Sequence, residues 1–140
     1  MTEQEKANIA VVMRHFTEAC AQGRHEVWLE IMHRDYFIHH PWCKPGRDSY
    51  LASSKVYWDA VSLPEYDFLH VLARDDLVMV HYIERGAILA PLFGEGTVGK
   101  SYAKKGFGLY RLEDGLMREG WNQEDDLGFK EQIGASDYAL

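Results

Sequence analysis

The chain has 140 residues, 46% of them hydrophobic and 26% charged, with a formal net charge of −7. That length is expected to form one globular domain spanning residues 1–140, with enough chain to bury a core. The acidic balance, with no block of Lys or Arg, argues against a nucleic-acid partner. No apolar run approaches the roughly 20 residues that span a bilayer, and the opening MTEQEKANIA has no signal-peptide pattern. The two cysteines, Cys20 and Cys43, have no metal-type spacing, so the expected compartment is the reducing cytoplasm.

In chain order, apolar residues Ile9, Val12, Met13, Phe16 and Cys20 predict an amphipathic helix over residues 4–22, with Thr2 and Glu5 as a capping box and Gly23 as its stop. Residues 25–32 read as a second short helix that buries Val27, Trp28 and Ile31. The next stretch, HRDYFIHHPWCKPGRDSY, carries two prolines, a glycine and a histidine pair, and reads as a structured loop. Helical periodicity returns over residues 48–60 and ends before Pro64.

The remainder reads as strands. Residues 66–73 lead through Arg74-Asp75-Asp76 into a long strand over 77–90, where Gly86 predicts a bulge. The loop 91–101 contains GEGTVGKS, which matches the phosphate-binding pattern GxxxxGK[ST]. That pattern needs a following helix whose N-terminus holds phosphate, whereas a glycine-rich β pattern follows here, so nucleotide binding is set aside. A strand over 107–112 and its return through Met117, Glu119 and Trp121 flank Glu113-Asp114-Gly115, and an Asp-Gly pair between apolar runs is a strong hairpin signal. The acidic cluster Glu124-Asp125-Asp126 precedes a short segment closing at Gly134. Helices first and a meandering sheet afterwards predict the α+β class.

Several residues could carry chemistry. His39 and His40 lie in a Pro-bounded loop, and a histidine can exchange protons near neutral pH. Cys43 three positions on gives poor zinc spacing, so no metal is expected. Alternation places His81 with Met79 and Ile83 on one strand face, opposite Val78, Val80 and Tyr82. Asp125 reads either as a general base or as a helix N-cap. Arg111, Arg118 and Glu119 read as cross-strand ion pairs. Tyr36, Trp42, Trp58, Tyr82, Tyr110 and Trp121 are candidate walls of a pocket for a flat apolar ligand.

Asp35-Tyr36-Phe37-Ile38-His39-His40-Pro41 with Gly46-Arg47, Asp76-Leu77-Val78 with Val80-His81, and Arg111, Asp114-Gly115, Glu119, Trp121, Asp125 and Gln132-Ile133-Gly134 occur in one order. Together they resemble the SnoaL-like polyketide cyclase family of the nuclear transport factor 2-like superfamily. The resemblance implies a conical α+β barrel: a strongly bent antiparallel sheet with about three N-terminal helices. It implies a homodimer and a cofactor-independent acid–base enzyme acting on a small hydrophobic, carbonyl-bearing substrate, with cyclase, isomerase or dehydratase chemistry. His39 stands where the family has its histidine. Asn122 stands where related cyclases have an acid–base Asp, and an amide orients an oxygen but takes up no proton. The implied catalytic set is His39, Asn122, Asp125 and His81. Gly108 and Gly120, where the family often has polar groups, are expected to enlarge the cavity. A non-catalytic binding module and an epoxide hydrolase- or hydroxylase-type enzyme remain open on the same fold.

Overall fold

The computed structural model describes residues 1–41 and 43–135. Helix α1, Glu3–Arg14, starts at the Thr2–Glu5 capping box; the Glu5 carboxylate also accepts from the backbone N–H of Asp75 at 2.9 Å, tying the helix start to a strand turn. The helix does not continue regularly to residue 22. Residues His15–Cys20 form a π-helical turn, which buries His15, Phe16, Ala19 and Cys20 together. A single 3-10 turn, His25–Val27, leads into α2, Trp28–Ile31.

The segment expected to be a loop begins as a strand instead. Strand β1, Met32–His39, runs parallel to the last strand at the sheet edge. Its period-2 pattern, with Tyr36 and Ile38 in and His39 out, is masked in the sequence by the polar run His33-Arg34-Asp35. Helix α3, Arg47–Trp58, follows. Then come β2, Glu65–Arg74; β3, Leu77–Ala87; β4, Ser101–Glu113; β5, Leu116–Glu124; and α4, Asp126–Ile133. The five strands form one sheet in the order β1-β5-β4-β3-β2, antiparallel except at β1–β5. The fold is α+β, with the helices on the concave side of a curved sheet. Asp114 and Gly115 both have positive φ, 51° and 77°, the geometry of a type I′ hairpin turn. Two short 3-10 turns, Pro91–Phe93 and Glu95–Thr97, fill the glycine-rich loop, and a strand, not a helix, follows it.

The inner face of the sheet carries large aromatic side chains, and glycines on neighbouring positions make room for them. Gly86 pairs regularly with Tyr102 and forms no bulge; a Cβ there would lie 2.7 Å from the Tyr102 hydroxyl. Gly108 and Gly120 do not enlarge the cavity as expected. The Tyr110 ring occupies the space above Gly108, and the Tyr36 hydroxyl the space above Gly120. Tyr36 and Tyr110 are fully buried in the core with Val12, Trp28, Val78 and Val80. A smaller apolar cluster, Val61, Ile88, Tyr102, Phe129 and Ile133, seats α4.

Because Tyr110 is fully buried it cannot swing away from an added methyl. Gly108→Ala places a Cβ 2.7 Å from ring atom Cε2, and is expected to destabilise the fold by about 1–3 kcal/mol in urea unfolding. Gly96→Ala, with open space around its Cβ, is the control and should leave the midpoint unchanged.

Candidate active site

Between the helices and the concave face lies a cavity of about 120 Å³. Much of its wall is aromatic, with Phe16, Tyr50, Trp58, Tyr66, Phe93 and Phe129 among the lining residues. Polar groups interrupt that wall, because inward positions on three neighbouring strands carry polar or ionisable side chains. Strand β3 contributes Glu84, β4 contributes Lys104 and β5 contributes Asn122 and Glu124; Asp126 enters from the start of α4 and His40 from just beyond β1.

The deepest part is a network around Glu84, only 3% exposed. Its Oε2 accepts from the hydroxyls of Tyr57 at 2.6 Å and Tyr102 at 2.7 Å. The Tyr57 oxygen in turn accepts from Lys104 Nζ at 2.8 Å. That ammonium lies 4.2 Å from the centre of the Tyr57 ring and 4.3 Å from that of Phe129, within cation–π range. Burial pushes the Glu84 carboxyl above its ordinary range, and the positive charge of Lys104 opposes that shift. Nearby, the Tyr82 hydroxyl donates to Glu124 Oε2 at 2.9 Å, and the Tyr110 hydroxyl to Asn122 Oδ1 at 3.2 Å.

Three further groups are tuned by their surroundings. Asp126 is raised above the usual carboxylate range, first by burial and then by the charge of Glu124. Burial lowers His40, against the pull of Asp126 and Glu124. His15 accepts a hydrogen bond at Nδ1 from the indole N–H of Trp28 at 2.8 Å, which leaves the proton of the neutral ring on Nε2. It thereby lines the cavity as an uncharged N–H donor.

The expected four-residue catalytic set does not converge here; the structure brings only Asn122 to the cavity. His39 points to the outer face of the sheet, where its Nε2–H donates to Glu119 at 2.7 Å and its ring stacks on Trp121 at 4.9 Å. His81 is also on the outer face, stacked on Phe107 at 4.1 Å, with its Nδ1 3.0 Å from that of His70. Asp125 caps α4 by accepting from the Gly128 N–H at 2.9 Å. The Arg111–Glu119 pair is cross-strand on the outer face, at 3.1 Å. Of the six aromatic residues expected in the wall, Trp58, Tyr82 and Tyr110 line the cavity. Tyr36 is packed in the core, Trp121 is on the outer face, and Trp42 lies outside the described residues.

The profile of the SnoaL-like polyketide cyclase family matches residues 10–133, nearly the whole chain. The chain belongs to the SnoaL-like polyketide cyclase family. Solved structures agree with that assignment at the level of the fold. TsrD from Streptomyces laurentii is 22% identical, covers 92% of this chain and 96% of its own, and superposes with a TM-score of 0.81. A SnoaL-like polyketide cyclase candidate from Jannaschia sp. CCS1 is 24% identical over 98% of both chains, at 0.83. An LEH-like epoxide hydrolase of M. tuberculosis, 11% identical over 93% of this chain and 91% of its own, reaches 0.72. A search of curated proteins gave no match. No helix among the described residues is long and apolar enough to cross a membrane.

Within this SnoaL-like domain, sequence reasoning missed Glu84, Lys104, Glu124, Asp126, Tyr57 and His15. A signal was present for two of them: if Tyr82 and Asn122 face inward, the strand period places Glu84 and Glu124 on the same face.

Burial moves the His15 pKa from 6.5 to about 4. Between those values the unfolded chain holds a proton on this ring that the folded chain does not. Stability therefore rises with pH across that window and is lost as pH falls through it. Between about pH 7 and about pH 5 the loss from His15 alone should be about 2 kcal/mol. His15→Gln, whose amide oxygen can still accept from Trp28, should flatten the pH dependence of the urea midpoint; an unchanged slope would assign the loss to other groups.

Proposed function

We propose that this SnoaL-like protein is a cofactor-independent acid–base enzyme that forms and reprotonates an enolate on a small apolar, carbonyl-bearing substrate. One observation carries this reading: the titratable side chains His40, Glu84, Lys104, Glu124 and Asp126 share the lining of an otherwise largely aromatic cavity. A carrier for apolar ligands gains nothing from burying the Glu84 carboxylate and turning those of Glu124 and Asp126 into the same cavity, since desolvating an unpaired carboxylate costs several kcal/mol. An acid–base enzyme uses titratable groups whose pKa values the surroundings have displaced.

Asp126, raised by burial, and His40, lowered by burial, are the proton-exchanging pair. His40 takes the α-proton, and Asp126 in its protonated form supplies one. Asn122 already uses its Oδ1 to accept from Tyr110, so its NH₂ is left to donate to the developing oxyanion; the His15 Nε2–H is a second donor. Asn122 thus orients an oxygen, the role its chemistry permits. The cavity is smaller than the roughly 300–1,000 Å³ that encloses a drug-sized ligand. It therefore suits the reacting end of a substrate, a single ring or short chain, rather than a whole polycyclic skeleton. On the outer face of the sheet Phe107 is 47% and Leu72 59% exposed, which supports pairing of two copies across that face.

Exchange of α-protons tests the reading without knowledge of the natural substrate. Compact cyclic ketones in D₂O, followed by ¹H NMR, should lose α-proton signal faster with protein than in buffer. Asp126→Asn and His40→Gln should each slow that exchange by about 100-fold or more. His39→Gln tests the outward histidine directly and should change the rate by no more than about twofold. Binding of the ketones with no exchange above buffer would make the protein a binding module.

A further inference from the structure

The network around Glu84 has no part in the enolate chemistry described above, yet it places a primary amine in the cavity wall. Lys104 is 5% exposed, on the central strand β4, with its ammonium bracketed by the rings of Tyr57 and Phe129. A lysine present only to neutralise Glu84 would be expected to touch that carboxylate. Lys104 instead reaches it through the Tyr57 hydroxyl, which accepts from Nζ at 2.8 Å and donates to Glu84 Oε2 at 2.6 Å. Two short hydrogen bonds in series, ammonium to phenol to carboxylate, form a path along which a proton can leave the amine without entering water. Tyr102 donates to the same Glu84 oxygen at 2.7 Å and fixes its position.

We propose that Lys104 is a nucleophile that condenses with the carbonyl of a bound aldehyde or ketone to form an iminium ion, with Tyr57 and Glu84 as its proton relay. The inference rests on the reading of the cavity as a site for a carbonyl-bearing substrate. The Nζ proton moves to the Tyr57 oxygen as the Tyr57 proton moves to Glu84, which leaves a neutral amine and a protonated carboxyl. The amine lone pair attacks the carbonyl carbon, forming the C–N bond, and the C=O π pair moves onto oxygen. That oxygen takes one proton from the nitrogen and one from Glu84, and leaves as water as the C=N bond forms. The net change is ammonium plus carbonyl to protonated imine plus water, with Glu84 returned to its carboxylate. The iminium withdraws electrons from the α-carbon more strongly than the parent carbonyl does, and His40, which would take that α-proton, and Asp126, which would return one, line the same cavity. Burial raises the Glu84 carboxyl, which favours its acceptance of the relayed proton.

Reductive trapping decides the matter on the intact wild-type protein. The full chain is incubated with cyclohexanone, or separately with benzaldehyde, in the presence of sodium cyanoborohydride, and the modified lysines are located by peptide mass spectrometry. The expected result is an adduct on Lys104 at least 10-fold above any other lysine, and Tyr57→Phe, which cuts the relay, should reduce it at least 10-fold. Labelling of Lys104 no higher than that of surface lysines, with α-proton exchange intact, would overturn the iminium proposal and leave the acid–base reading standing. Loss of exchange and adduct together would overturn both. An adduct on Lys104 with no α-proton exchange would support the nucleophile and reject the acid–base roles of His40 and Asp126.

Discussion

The arrangement depends on one buried pair of opposite charges, bridged by the Tyr57 hydroxyl. Glu84 and Lys104 sit on adjacent strands, two residues in register, and each would be costly to bury alone. The side chains that reconcile them come from elsewhere: Tyr57 from α3, Tyr102 from β4, and the Phe129 ring from α4 under the ammonium. That single network therefore fixes how two helices close over the sheet. Removing either charge would leave the other desolvated, so the pair constrains the fold as well as the chemistry.

The same inner face shows how a small domain holds both a core and a cavity. Tyrosines on inward positions lie across glycines on adjacent ones, Tyr110 over Gly108 and Tyr82 over Gly106. The rings are buried deeply enough to complete the core, while the hydroxyls of Tyr82 and Tyr110 reach Glu124 and Asn122. Aromatic residues so placed supply apolar area and a polar handle together. Volume that these glycines would otherwise open is filled by the rings.

Much of the fold was legible in the sequence. The capping box at Thr2, the Asp114-Gly115 turn and the α+β order of elements follow from local chemistry: a side chain satisfying helix N–H groups, a turn needing two positive φ values, and periods of 3.6 and 2. The site was legible only in part. Asn122 and three aromatic wall residues were identified, but the histidines chosen were those with the most conspicuous sequence context. In a strand, adjacent residues face opposite sides, so His39 and His40 are separated by the sheet itself.

What the sequence by itself determined is most of the elements other than β1, their order and the hairpin that joins β4 to β5, because these depend on contacts within a few residues. Only the tertiary structure decided which face of each strand looks inward. The irregularity opposite Arg111 and Leu112 changes the phase of β5, so that Met117 is buried before it and Gly120, Asn122 and Glu124 face inward after it. A second irregularity does the same in β2, where Phe68 and then Val71 pack on the core. A strand read by alternation alone from Met117 would put Trp121 inside and Asn122 outside. One extra residue reverses every side chain beyond it; that residue is Arg118, between Met117 and Glu119, and its guanidinium donates to the Asp35 carbonyl of β1 at 2.7 Å.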